Sequence, residues 1–255
     1  MPSDQQIVDA QATVVNVFRG IRPELLRVFG TISFNQKDDS SPVTEWDVRV
    51  EETLRAALAE AFPNWGFEGE ETGQFGSRKT YWLVDPIDGT SSFIRGLGYA
   101  TNMAALVHDG HVVAAVIYDF AHDHVYTAQK GKGAYKDGAP IRINPHRPAG
   151  DLVLYSLTRQ TFPQIREALH ELGMRTLLPM GAAGHAYVML AEGKIDGVIV
   201  LRTRTGAYDN APGLLIAEEA GAIVLSYDEK TGVERHEFII GSPLVVDLIE
   251  RSGLI

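Results

Sequence analysis

The chain has 255 residues, 45% apolar and 22% charged, a globular composition that excludes disordered, collagen-like and fibrous classes. Lys and Arg number 23 against 33 Asp and Glu, and the net charge of −10 opposes loose binding to a nucleic-acid backbone, which needs clustered basic residues to release counterions. The absence of cysteine excludes disulfides, thiolate zinc sites and cysteine nucleophiles together.

No apolar run approaches the roughly 20 residues that span a bilayer, and the first residues lack the basic start and apolar core of a signal peptide. A cytoplasmic protein without membrane attachment is the expectation.

Residues 4–29 place Ile7, Val8, Val14, Val15, Phe18, Leu25, Leu26 and Phe29 at near-helical spacing. Ser3 or Asp4 is suited to cap this helix, Gly30 to end it, and Pro23 to kink or divide it. Asn35 to Pro42 reads as a mobile loop. Thr44 then opens a second helix through Phe62, capped by Thr44 or Asp47, with Val48, Leu54, Leu58 and Phe62 on one face.

From Gly66 the texture becomes strand-like. Tyr81 to Val84 is a short apolar run that stops at Asp85-Pro86, and Thr101–Val107 and His111–Tyr118 flank Asp109-Gly110, a strong hairpin signal. His124–Ala128, Gly133–Lys136 and Ile141–Ile143 extend an antiparallel meander. Past Pro145 the pattern alternates: strands at 151–155, 175–178, 197–201 and 222–226, with helices at 162–172, 182–191, 208–220 and 243–251. Helices, then a mostly antiparallel sheet, then α/β alternation predict a layered α/β sandwich of two halves, 1–145 and 146–255, acting as one unit.

The segment richest in chemistry is Asp85-Pro86-Ile87-Asp88-Gly89-Thr90. A four-residue turn brings its end Cα atoms within about 7 Å, so Asp85 and Asp88 can converge at the strand's end. Gly89-Thr90 opens a short helix whose free N–H groups favour a phosphate oxygen. Carboxylates beside an anion site make sense when a hard, oxygen-loving cation lies between them; plain turn chemistry is the other reading. Glu68-Gly69-Glu70-Glu71-Thr72 reads either as a solvated acidic loop or as more ligands. Asp209, before an apolar helix, reads as a helix cap or as a distant ligand. Lys37 fits an ordinary loop lysine, Trp82 the core, and His108, His111, His122, His124 and His185 solvated strand ends.

Together these segments resemble the inositol monophosphatase family, the lithium-sensitive, magnesium-dependent phosphatases. Thr44-Glu45-Trp46-Asp47, Gly69 to Thr72, Asp85 to Thr90, and Tyr208-Asp209 through Gly221 carry the resemblance in the right order over nearly the whole chain. It implies the αβαβα sandwich of sugar phosphatases and two to three Mg²⁺ ions. Glu70, Asp85 and the Ile87 carbonyl would hold the first ion, and Asp85, Asp88 and Asp209 the second. Two such ions can clamp the attacking and leaving oxygens of an in-line phosphoryl displacement. Glu70 and Thr90 would orient water, Asp47 would hydrogen-bond Thr90, and Gly89 and Thr90 amides would hold phosphate. Lys37 belongs to the loop that folds over such sites, and Ala183 would meet the substrate.

The sequence departs from inositol-phosphate hydrolases in three places, one being Ser91-Ser92 where Thr-Asn is usual before Phe93, which resembles the histidinol-phosphatase branch. Gly181-Ala182-Ala183-Gly184-His185 lacks a serine, and Arg202-Thr203-Arg204 stands where a hydroxyl-binding glutamate is usual. Guanidinium donates to phosphate or carboxylate, whereas carboxylate accepts from hydroxyls, so recognition is inverted there unless the arginines form surface ion pairs. A phosphomonoesterase acting on an inositol-1-phosphate-like metabolite is expected. Histidinol phosphate, fructose-1,6-bisphosphate and 3′-phosphoadenosine 5′-phosphate are alternatives, and a regulatory binding protein is the non-enzyme alternative. The resemblance also implies a homodimer; direct nucleic-acid binding is not expected.

Overall fold

Ser3 accepts the Gln6 amide while Gln6 returns a bond to the Ser3 amide, and this capping box starts α1 (Asp4–Val28). The helix runs through Pro23 undivided. Arg22 Nε, beside the proline, donates to the Phe120 carbonyl at 2.7 Å. The computed structural model describes residues 1–38, 41–157, 163–177, 182–201, 205–226, 233 and 237–253, with the backbone alone for 163–166.

The ends of the expected 35–42 loop pair as β1 (Asn35–Gln36) and β2 (Pro42–Val43). A second capping box, Thr44 with Asp47, opens α2 (Glu45–Ala61). Its buried face carries Trp46, Asp47, Val50, Glu51, Leu54 and Leu58, whereas Val48, expected inside, is 37% exposed.

The first large sheet is built from β3 (Gly66–Gly69), β4 (Gly73–Phe75), β5 (Thr80–Asp88), β6 (Thr101–His108), β7 (His111–Asp119), β8 (His124–Gln129), β9 (Gly133–Lys136) and β10 (Ala139–Ile141). Their spatial order is β10-β9-β8-β7-β6-β5-β3-β4. Neighbours are antiparallel except β3 and β5, which run parallel. Between β5 and β6 lies α3 (Thr90–Ile94). Asp109 and Gly110 both take positive φ, 48° and 76°, the conformation a two-residue hairpin turn demands.

The second sheet has the order β12-β11-β13-β15-β14, made of β11 (Leu152–Ser156), β12 (Met174–Leu177), β13 (Gly197–Val200), β14 (Ile223–Ser226) and β15 (Phe238–Gly241). β15 was not visible as a separate strand in the hydrophobic pattern; it inserts antiparallel between β13 and β14. The helices of this half are α4 (Pro163–Glu171), α5 (Ala183–Ala191), α6 (Ala207–Glu219) and α7 (Pro243–Ser252).

Three apolar contacts stack these elements as α, β, α, β, α. Phe18, Leu25, Val50 and Leu54 of α1 and α2 pack on Trp82, Leu106 and Tyr118 of the first sheet. Tyr187, Leu190 and Ile216 of α5 and α6 fill the space between Met103 and Ile117 on one side and Val198 and Phe238 on the other. Leu169, Val245 and Ile249 of α4 and α7 cover Leu154, Ile199 and Ile239 outside. Gly213 lets α5 and α6 approach: a Cβ there would lie 2.0 Å from the Tyr187 ring. The central helix layer joins the halves, which brings α5 and α6 to the end of β5.

Candidate active site

β5 is buried along nearly its full length and delivers Asp85 and Asp88 to its carboxyl end. The strand does not stop at Asp85-Pro86 as the proline suggested; it continues to Asp88 with a register shift between the two acids. In a regular strand, residues three apart point to opposite faces. The bulge cancels that alternation, tolerates a proline, and is held by Asn102 Nδ2 donating to the Pro86 carbonyl. Asp209, third residue of α6, arrives from the other half. One oxygen from each of Asp85, Asp88 and Asp209 lies within 4.8 Å of the others.

Each acid of this cluster is differently supported. Asp88 accepts the Ala183 amide at 2.9 Å, the Gly184 amide at 2.6 Å and the Thr101 hydroxyl at 3.0 Å. The two amides are the first of α5, donors that no helical carbonyl satisfies, so the helix start and the carboxylate complete each other. Burial pushes Asp88 up to about 6 against the pull of those bonds. Asp209 accepts the Gly206 amide, so it caps its helix and joins the cluster as well. Burial, with the charges of Asp88 and Glu70, raises it well above the carboxylate range.

Asp85 is 2% exposed, and its Oδ1 has no hydrogen-bond partner among the described residues. Burial and the neighbouring Glu70, Asp88 and Asp209 push its carboxyl well up. Three converging carboxylates, one with an orphaned oxygen and none with nitrogen or sulfur beside it in the cluster, suit a hard divalent cation.

Glu70 follows β3, and its amide donates to the Val84 carbonyl at 3.1 Å. Lys37 spans from the β1–β2 segment to Glu70 at 2.7 Å and also pairs with Glu71. Burial opposes its charge, yet those bonds carry the ammonium pKa above its usual value. Lys37 is therefore not a free loop lysine but is held against Glu70 and Glu71, and the acidic loop is not simply solvated. Glu71 is pushed up to about 7 by burial against the Lys37 bond.

Asp47 Oδ2 accepts the Thr44 amide and hydroxyl at 2.7 and 2.6 Å. Its Oδ1 lies 3.3 Å from Thr90 Oγ1, which is also 3.0 Å from the Ile87 carbonyl. Burial lifts Asp47 to about 6. Gly89 caps α3 in the left-handed region, at φ 80°, leading the backbone straight from Asp88 into Thr90.

Glu51 is the site residue that motif reading missed. Fully buried on α2, it accepts the Glu71 amide at 2.8 Å, the Thr72 amide at 2.9 Å and the Thr72 hydroxyl at 2.6 Å. A signal existed: it falls four residues after Asp47, inside the apolar stripe, where an ordinary surface glutamate does not belong. Thr101 carried none. Trp82 is core, as expected. Of the histidines, His111 and His124 lie at exposed or half-exposed strand ends, but His108 and His185 are buried; His108 bonds Thr80 at 2.7 Å. Arg202, Thr203, Arg204 and Gly181 lie outside the described residues.

These carboxyls link stability to pH. Asp47 and Asp88 near 6 and Glu71 near 7 stand above unfolded values of about 4, so the folded chain binds more protons. Their stabilisation is complete below about pH 4 and is lost as pH rises through about 6 to 7. The metal-free protein is expected to melt lower at pH 8 than at pH 5, and a divalent cation to raise the melting temperature more at pH 8. Melting curves with chelator and with cation check this; equal cation shifts at both pH values would contradict it.

The layered fold brings three acids from its two halves into a cluster that could hold a metal ion. The chain belongs to the inositol monophosphatase family, whose sequence model matches residues 5–250. It is 32% identical over 213 residues to an inositol-1-monophosphatase of Rhizobium meliloti (strain 1021), covering 77% of each chain. It is 31% identical to the Nus factor SuhB of Pseudomonas aeruginosa, over 82% of this chain and 79% of that one. A histidinol-phosphatase of Chlorobaculum parvum is 28% identical, over 82% and 81%. In fold it matches the Thermotoga maritima IMPase with a TM-score of 0.83 at 24% identity, covering 94% of both chains.

Proposed function

We propose that this phosphatase hydrolyses a small phosphorylated metabolite of the inositol-1-phosphate kind with Mg²⁺, two or three ions being held by Glu70, Asp85, Asp88, Asp209 and the Ile87 carbonyl. The observation that carries the reading is the convergence of Asp85, Asp88 and Asp209 from two halves of the chain, with an orphaned oxygen on Asp85. Bound there, divalent cations supply charge neutralisation of the phosphate and a more acidic water.

The protein's own groups do the orienting. Asp47 has spent Oδ2 on Thr44, so Oδ1 is the oxygen left to accept the Thr90 hydroxyl proton. The Ile87 carbonyl, which the Thr90 hydroxyl now uses as an acceptor beside Asp47, would be occupied by a bound cation, leaving Thr90 and Glu70 to orient the attacking water. Gly89 and Thr90 amides, at the start of α3, face the phosphate oxygens. Lys37 offsets the charge of Glu70 and Glu71. The Ala183 amide donates to Asp88, so its part in substrate binding rests on standing beside that carboxylate. Arg202 and Arg204 remain candidates for a second anionic group of the substrate.

The halves 1–145 and 146–255 act as one catalytic unit in this reading, because Asp209 completes a site begun on β5. A cytoplasmic homodimer, inhibition by lithium and lack of nucleic-acid binding rest on family resemblance and on charge; among the described residues no helix is long and apolar enough to cross a membrane.

The test is phosphate release from a panel of inositol, sugar, amino-alcohol and nucleotide phosphates with Mg²⁺ and with chelator. Mg²⁺-dependent turnover of an inositol phosphate above the others is expected. Preference for histidinol phosphate or a bisphosphate would overturn the substrate class, and turnover undiminished by chelator would overturn the metal. The likeness to a Nus factor supports a second, regulatory reading, which capture of transcription-complex proteins by a catalytically inactive variant would favour.

A further inference from the structure

We propose that the groove between the second half of α2 and the β3–β4 end of the first sheet binds a small aromatic carboxylate. Arg55 and Phe62 line it from α2, Phe67 and Trp82 from the sheet, and Trp65 and Phe75 from the segments beside them. Phe67 and Trp82 are register partners on β3 and β5, so both rings turn to the helix. Two donors here have nothing to bond. Trp82 is wholly buried, and its Nε1 has no hydrogen-bond partner among the described residues; nor has the buried Nε of Arg55. Buried donors are almost always satisfied, so the pair calls for an acceptor beyond those residues.

Charge and shape narrow the occupant. Among the described residues no carboxylate pairs with the Arg55 guanidinium, which lies 4.3 Å over the Phe75 ring. Glu51, one turn earlier on α2, is committed to the Glu71 and Thr72 amides. A planar guanidinium without a partner selects a carboxylate. Arg55 is the only charged residue lining the groove among the described residues, so a single negative charge matches it and a phosphate dianion does not. Phe62 and Trp65 stack with centroids 4.5 Å apart, and with Phe75 they offer aromatic faces to a planar ring. The groove measures about 210 Å³, below the roughly 300–1,000 Å³ of drug-sized sites, which holds the occupant to one ring with a short acidic arm.

The groove is separate from the acid cluster. Arg55 and Phe62 lie about 12 and 22 Å past Asp47 along the helix. Gly66 and Phe67, the first residues of β3, line the groove, whereas Glu70 follows the last. An occupant therefore joins the distal ends of two elements whose other ends present Asp47 and Glu70.

Phenylacetate is the probe, titrated by calorimetry into the Mg²⁺-saturated protein, with phenylacetamide as its uncharged counterpart. One phenylacetate per chain is expected, bound at least about tenfold tighter than the amide, the difference a hydrogen bond to a charged group makes. Arg55→Met should bind the two compounds equally, at the level of the amide in wild type, with phosphatase activity and melting temperature unchanged. Trp82→Phe, lacking the indole donor, should weaken both compounds, since each carries an acceptor oxygen. No saturable uptake at millimolar phenylacetate, or uptake unchanged by either substitution, overturns the site and leaves water as the acceptor. Self-association of the wild type that Arg55→Met abolishes would give the groove to a second copy of the chain and overturn it likewise.

Discussion

Asp85→Asn is expected to lower Mg²⁺-dependent turnover by at least about 100-fold, the upper end for losing a partner that merely holds a metal ligand in place, while making the metal-free protein harder to melt. The two effects share one cause. Asp85 is buried, its Oδ1 is unpartnered among the described residues, and four acidic neighbours, Glu70, Asp88, Asp209 and Asp47, repel its charge. In the absence of a cation that charge is a liability which neutral Asn removes, and the new amide can donate to Asp88 or Asp209. An unsatisfied buried group costs about 1–3 kcal/mol, and at this chain length each kcal/mol moves the melting temperature by about 2–4 °C. A rise of about 2–12 °C in chelator at pH 8 is therefore expected, with a smaller rise at lower pH, because burial and the acidic neighbours favour the protonated Asp85. Phosphate release and melting curves on the same preparation check both halves. Retained activity would remove Asp85 from the ligand set, and a lowered melting temperature would refute the electrostatic account.

That coupling of function to strain explains what sequence patterns show and what they hide. Ser3 and Thr44 announce their helices because capping is a local matter of four residues. Asp109-Gly110 announces its hairpin for the same reason. The run Asp85 to Thr90 is legible as chemistry because its residue types make little sense as core. The convergence of its two acids was legible too, but not the means: the proline suggested a strand end followed by a turn, whereas the strand continues through a bulge held by Asn102 from β6. β15 was hidden because its place between β13 and β14 is set by non-local pairing. The burial of His108 and His185 was hidden likewise, since a histidine at a strand or helix end has no period that marks it as inside.

Glu51 is the sharpest case, and its removal should be the most damaging change outside the acid cluster. Glu51→Ala leaves the Glu71 and Thr72 amides and the Thr72 hydroxyl without their acceptor. At about 1–3 kcal/mol for an unsatisfied donor, a loss of about 3 kcal/mol or more follows, about 6–12 °C in melting temperature. Glu51→Gln should restore little, because it offers an NH₂ where both carboxylate oxygens now accept. The loop so released carries Glu70, so the apparent affinity for Mg²⁺ should fall about 10–100-fold while kcat at saturating Mg²⁺ falls less. Gly69→Ala should reproduce the pattern from the other side of the contact, since its Cβ would lie 2.1 Å from Glu51 Oε2. Mg²⁺ titrations of activity beside melting curves separate the possibilities. Loss of stability with an unchanged Mg²⁺ dependence would make Glu51 a structural acid only. Loss of both, in Glu51→Ala and Gly69→Ala alike, would show that the buried carboxylate on α2 sets the position of Glu70.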